Sequence, residues 1–198
     1  MISIDAERLV EAGIRESLAA QERLLEPEYL SAVVRASEVV AASLRAGGKL
    51  LVFGNGGSAA DATHIAAEFL GRFLLERPAL PALSLSDNAS ALTAIGNDYD
   101  FRDVFARQIV GLGQPGDVAL GLSTSGESEN VIRGMAVARE RGLRTIGLAG
   151  RSGGRLRDAV ELCIAVPADT TPRIQEAQFL VAHLLCELVE RDVAGDGA

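Results

Sequence analysis

The sequence predicts an α/β fold: a three-layer αβα sandwich around a five-stranded parallel sheet, preceded by two helices. Three observations carry that expectation. Short apolar runs of four or five residues alternate with helix-length segments along the chain. Such alternation implies parallel strands covered on both faces, joined by short crossover connections. The composition fits, with 48% hydrophobic residues but only 4% aromatic, so the core must be built from Leu, Val, Ile and Ala. A length of 198 residues suits one domain with a full core.

The elements follow in order. Leu9, Val10, Ile14 and Leu18 recur at helical spacing from about Asp5 to Leu25, and Val33, Val34, Val40 and Leu44 do so from about Glu28 to Arg45. Gly47-Gly48 ends the second helix. Leu50-Leu51-Val52-Phe53 reads as a buried strand, followed by Gly54-Asn55-Gly56-Gly57-Ser58 and a helix from Ala59 to about Leu75. Pro81 to Leu85 is a second strand, and Ser86-Asp87-Asn88 starts a short helix. Gly96-Asn97-Asp98 reads as a turn. Val118 to Leu122 is a third strand, with Ser123-Thr124-Ser125-Gly126 leading into a helix from Ser128 to Arg141. Thr145 to Leu148 and Leu162 to Val166 complete the sheet, and Pro172 starts a closing helix. Residues 1–46 form the helical pair, 47–192 the core with its closing helix, and 193–198 a frayed tail.

Charge and composition narrow the function. A net charge of −8 argues against general nucleic-acid binding and against attraction to anionic membranes. An anionic ligand would have to be held by local groups. The N-terminus lacks the basic and apolar regions of a signal peptide, and no apolar run reaches the length of a membrane span. The expectation is a soluble, cytoplasmic protein. Cys163 and Cys186 lack CxxC spacing and read as small hydrophobes in a reducing compartment.

Two loops have the composition of ligand sites at strand carboxyl ends. In Gly54-Asn55-Gly56-Gly57-Ser58 the backbone can approach a ligand closely, and its amides merge into a helix N-terminus, where anions are favoured. Ser123, Thr124, Ser125 and Ser128 place four hydroxyls around Gly126 at another helix start. One such hydroxyl would be a plain N-cap. Four suit the oxygens of a phosphate without a lysine or arginine, although Glu127 beside them is uncomfortable for an anion. Gly54, Gly56 and Ala59 also match a loose dinucleotide fingerprint, but the acidic residue it requires falls too late, near Asp87.

The chain has only two histidines. His64 stands four residues before Glu68, and His183 eight after Gln175, so each pair shares a face of its helix. A histidine alone is most simply structural; near neutrality its imidazole can also serve acid–base chemistry or bind a metal. Asp61 and Arg72 read most simply as helix-dipole residues.

With these segments in order, and with Arg173-Ile174-Gln175-Glu176 before His183, the chain resembles the phosphoheptose isomerases. These are enzymes of the sugar-isomerase (SIS) fold, flavodoxin-like in layout, that interconvert sedoheptulose 7-phosphate and D-glycero-D-manno-heptose 7-phosphate. The resemblance implies that Asn55, Gly56, Gly57, Ser58, Glu68, Asn97, Asp98, Ser123, Thr124, Ser125, Ser128 and Gln175 contact the sugar phosphate. It implies one zinc ion per subunit on His64, Glu68, Gln175 and His183, with Glu68 as base and His183 as acid. It further implies a homotetramer that supplies heptose precursors for lipopolysaccharide or surface glycans. Glu127 and Glu129 depart from neutral residues common in the family, and Gln178 from a frequent histidine.

Other classes fit the sequence less well. A non-catalytic SIS module of the type that binds the bacterial replication initiator lacks the counterparts of Glu68 and His183, both present here. A regulator would need an added helix-turn-helix domain, for which there is no length. An isomerase acting on another sugar phosphate stays open, because hydroxyl selectivity depends on pocket shape.

Overall fold

The computed structural model describes residues 5–194. Helices α1 (Ala6–Arg23) and α2 (Pro27–Arg45) lead, with Pro27 at the first turn of α2, where a missing N–H costs nothing. Strands β1 (Leu50–Gly54), β2 (Ala82–Ser84), β3 (Val118–Ser123), β4 (Arg144–Gly150) and β5 (Leu162–Val166) pair in the order β2-β1-β3-β4-β5, all parallel. Between and after them run α3 (Gly57–Leu70), α4 (Ala89–Asp98), α5 (Val104–Leu112), α6 (Glu129–Glu140), α7 (Gly154–Ala159) and α8 (Thr171–Ala194). Among the described residues no helix is long and apolar enough to cross a membrane.

The period-2 alternation of the strands splits the core in two. Leu50, Val52, Val118, Leu120, Leu122, Ile146, Leu148, Ile164 and Val166 point to the face covered by α1, α2, α3 and α8. Leu51, Phe53, Ala119 and Ala149 point to the opposite face, against α5, α6 and α7. The stripe Leu9, Val10, Ile14 and Leu18 on α1 is exposed, Leu9 to 63%.

Several boundaries differ from the sequence expectation. Helix α3 begins at Gly57 and stops at Leu70, five residues early, because Gly71 breaks it and the next segment is held elsewhere. Asn97 and Asp98 are not in a turn but in the last turn of α4. Helices α5 and α7 were not foreseen; α7, at six residues, is too short to show a period. Val193 and Ala194 continue α8 rather than fray, and residues 195–198 lie outside the described residues, as do 1–4.

Candidate active site

The strand order reverses between β1 and β3, and the two candidate loops leave the carboxyl ends of these neighbouring strands. They are tied together by a reciprocal amide pair. Asn55 Nδ2 donates to Asn130 Oδ1 at 2.8 Å, and Asn130 Nδ2 donates to Asn55 Oδ1 at 2.9 Å. Asn130, buried in the first turn of α6, was not anticipated; the sequence shows only an asparagine two residues after Ser128.

In the second loop, Ser123 Oγ lies 2.9 Å from Ser128 Oγ and accepts from the Gly126 amide at 3.2 Å, while Ser125 Oγ accepts from the Glu127 amide at 3.1 Å. Thr124 is held through its carbonyl, which accepts from Gly150 N–H. Gly126 has φ +71°, and a Cβ there would collide with the carbonyl of Gly153, so the loop requires glycine twice over. Glu127 turns away from the hydroxyls and accepts from the Arg155 amide at 3.0 Å, at the start of α7. Glu129 is paired with Arg155 and Arg133, whose hydrogen bonds, Arg155's first, hold its carboxyl below the usual range. Glu129 is therefore neutralised locally, and Glu127 is turned aside onto a backbone amide.

In the first loop, the Gln175 side-chain amide occupies the space where a Cβ on Gly57 would lie, which brings α8 onto the glycine loop. Ser58 is buried and packs directly beneath Gly54, where a Cβ would meet its own Cβ at 2.8 Å. Asn97 and Asp98 are exposed, and Asn97 Nδ2 donates to Asp98 Oδ1 at 2.8 Å; neither bonds to the loops.

The two histidines meet. His64 Nε2 lies 2.9 Å from Glu68 Oε1 and 3.2 Å from His183 Nε2. Donor atoms of His64, Glu68 and His183 all lie within 4.8 Å of one another. A neutral Nε2 carries either a hydrogen or a lone pair, so no single tautomer of His64 serves both neighbours when His183 also needs one. A cation among three lone pairs would satisfy all of them, and two nitrogens with a carboxylate oxygen suit a divalent metal ion. Phe179 packs at a tilt against both rings, with centroids 5.0 Å from His64 and 4.2 Å from His183, and Phe73 lies 5.3 Å from His183. These aromatics fix the ring planes and were not foreseen.

Two helix-dipole readings need correction. Asp61 stands beyond the first turn of α3, with Oδ2 buried and without a partner among the described residues; burial pushes its pKa up, opposed by His64. Arg72 lies past the end of α3, paired with Glu76 in solvent. The last carbonyls of α3 are served by Arg77 instead. Gln178 is wholly buried with its amide unpartnered among the described residues. Cys186 behaves as expected, its thiol pushed up to about 12 by burial, while Cys163 is only half-buried; both are free.

A parallel sheet of this order, with a glycine loop and a hydroxyl loop at its point of reversal, defines a sugar-isomerase domain, and the family described as SIS domain matches residues 14–150. A phosphoheptose isomerase of Thermodesulfovibrio yellowstonii is 46% identical, over 94% of this chain and 92% of its own. Among solved structures, the phosphoheptose isomerase from Neisseria gonorrhoeae superposes with a TM-score of 0.88 at 40% identity, covering 93% of this chain and 98% of that one. The one from Francisella tularensis gives 0.89 at 33% identity, covering 94% and 99%. The chain belongs to the phosphoheptose isomerase family.

Proposed function

We propose that the protein is an aldose–ketose isomerase converting sedoheptulose 7-phosphate to D-glycero-D-manno-heptose 7-phosphate, a precursor of lipopolysaccharide or surface-glycan heptose. The observation that carries this reading is the convergence of Glu68 and His183, from helices far apart in sequence, beside the glycine loop. The interconversion removes a proton from C1 of the ketose and returns it to C2, while O1 loses a proton and O2 gains one. Glu68 is the base that carries the carbon-bound proton, and His183 the acid that serves the oxygens. Ser123, Thr124, Ser125 and Ser128 hold the phosphate, with the backbone of Asn55, Gly56 and Gly57. Asn97 and Asp98 take sugar hydroxyls, a role that requires their mutual hydrogen bond to open.

His64, Glu68, Gln175 and His183 would hold zinc. When bound, zinc would stabilise negative charge developing on the substrate oxygens. Zinc on Glu68 would make its carboxylate a weaker base than a free one, so the ion's role would be chiefly to organise the site.

The reading includes a cytoplasmic homotetramer; the exposed stripe Leu9, Val10, Ile14 and Leu18 on α1 supports self-association. The chain is read as one SIS domain.

The test is a coupled assay on sedoheptulose 7-phosphate, with fructose 6-phosphate and arabinose 5-phosphate as controls. Glu68→Gln should abolish both turnover and exchange of the C1 protons with deuterated solvent. Wild-type exchange in that variant would remove Glu68 as the base.

A further inference from the structure

The segment after α3 is tied down by an ion pair that the reaction does not touch. The side chain of Glu190, in the last third of α8, is 1% exposed, and that of Arg77 is 3% exposed. The Glu190 carboxylate accepts from three successive amides, those of Phe73 at 2.9 Å, Leu74 at 2.6 Å and Leu75 at 2.8 Å, and from Arg77 Nε at 3.0 Å. The Arg77 guanidinium then donates to the Glu68 carbonyl at 2.8 Å and to the Phe69 carbonyl at 2.9 Å, with longer bonds to Gly71 and Pro78. One side chain of α8 thus reaches, through one arginine, the backbone of Glu68 itself.

The pair does more than close a helix end. A helix terminus needs only water, a glycine or a surface cation. Here a fully hydrogen-bonded charge pair is buried instead, and a satisfied buried network of this kind admits one arrangement. It fixes three things at once: the end of α3 that carries Glu68, the loop whose Phe73 ring packs on His183, and the distance of both from α8.

We propose that Arg77 and Glu190 are positioning residues for the isomerisation, setting Glu68 and His183 against each other by locking α3 and its following loop to α8. The proposal rests on the isomerase reading of the same site. Arg77 serves through its fork of donors, which lysine cannot reproduce.

The experiment compares wild type with Arg77→Lys and Glu190→Gln, each confirmed folded by a thermal scan. Lys49→Met is the control, because it breaks the Lys49–Asp117 pair at the amino end of the sheet. Both test variants should lose about ten- to a hundredfold in kcat, as misplacement of reacting groups does, with KM within about twofold since the phosphate loops are untouched. A second readout is independent of turnover. The chain has two histidines, both at this site, so the imidazole proton–carbon spectrum shows the site alone. Both signals should move in the test variants and stay in place in Lys49→Met. Wild-type kcat and imidazole shifts in a folded Arg77→Lys would overturn the proposal, as would equal losses in Lys49→Met. If the wild type does not isomerise the heptose phosphate, the isomerase reading fails, while the imidazole shifts still decide whether the pair positions the site. Should Glu190→Gln not fold, Arg77→Lys carries the test.

Discussion

Replacing Glu190 by glutamine exchanges one carboxylate oxygen for an amino group. Oε2 accepts from Leu74 and Leu75, and Oε1 from Phe73 and Arg77, so either orientation of the amide aims hydrogens at two donors. The two donors left unpaired are part of the cost of breaking the pair, not an addition to it. Arg77 also loses its counter-charge, and breaking a buried pair typically costs about 3–5 kcal/mol. At about 2–4 °C per kcal/mol for a chain of this size, Tm should fall by roughly 6–20 °C. The assay is a calorimetric melt at matched protein concentration, since any self-association shifts apparent stability. Its pH dependence has a defined sign. Burial pushes Glu190 up, but the amides of Leu74, Leu75 and Phe73 with Arg77 outweigh it, and its pKa lies below the ordinary value. A depressed folded pKa gives stability that is complete above the unfolded value of about 4.3 and lost as pH falls through the folded value. The gap between wild type and variant should therefore hold at neutral pH and narrow below about pH 4. A gap under about 2 °C at pH 7, or one that widens on acidification, would refute the reasoning.

Ser125→Ala should raise KM for the phosphorylated substrate about two- to tenfold, the worth of one hydrogen bond, with a smaller effect on kcat; unchanged steady-state kinetics would take Ser125 out of the site. Gly126→Ala should destabilise by at least about 1–2 kcal/mol from its left-handed backbone alone, and more from the collision with Gly153, so an unchanged melting temperature would contradict the close approach. Chelation should lower activity and Tm together, and added zinc should restore both; full activity in protein shown metal-free by elemental analysis would remove the metal from the reading.

What could be read in the sequence was what local pattern encodes. Leu50-Leu51-Val52-Phe53 and Leu162 to Val166 are apolar over strand length and became β1 and β5. Gly47 closes α2 as expected, in the left-handed conformation at φ +84°. Helix α3 ran long on paper because Phe73 and Leu75 continue its apolar pattern; in the fold their amides bond to Glu190, 115 residues or more away, and no local period encodes that. The same holds for Asn55 with Asn130, whose pairing depends on β1 and β3 being neighbours. Of the four expected metal ligands, the pairing of His64 with Glu68 follows from a four-residue spacing, whereas His183 joins them only through the packing of α8 on α3. Phe179 and Phe73 read as ordinary apolar residues because their role depends on two rings brought in by different helices.

Helix α8 has a consequence for motion. It presents Gln175 to the glycine loop, His183 to His64 and Glu190 to the clamp, while Ala177, Val181, Leu185 and Val189 on its inner side are sealed in the sheet's core. A helix so placed does not fray piecemeal, because freeing any turn of it exposes buried aliphatic surface. Its central amides should exchange with solvent only when the whole chain opens, so the three side chains share one lifetime set by global unfolding. Substrate binding should therefore leave α8 in place as the fixed floor of the site.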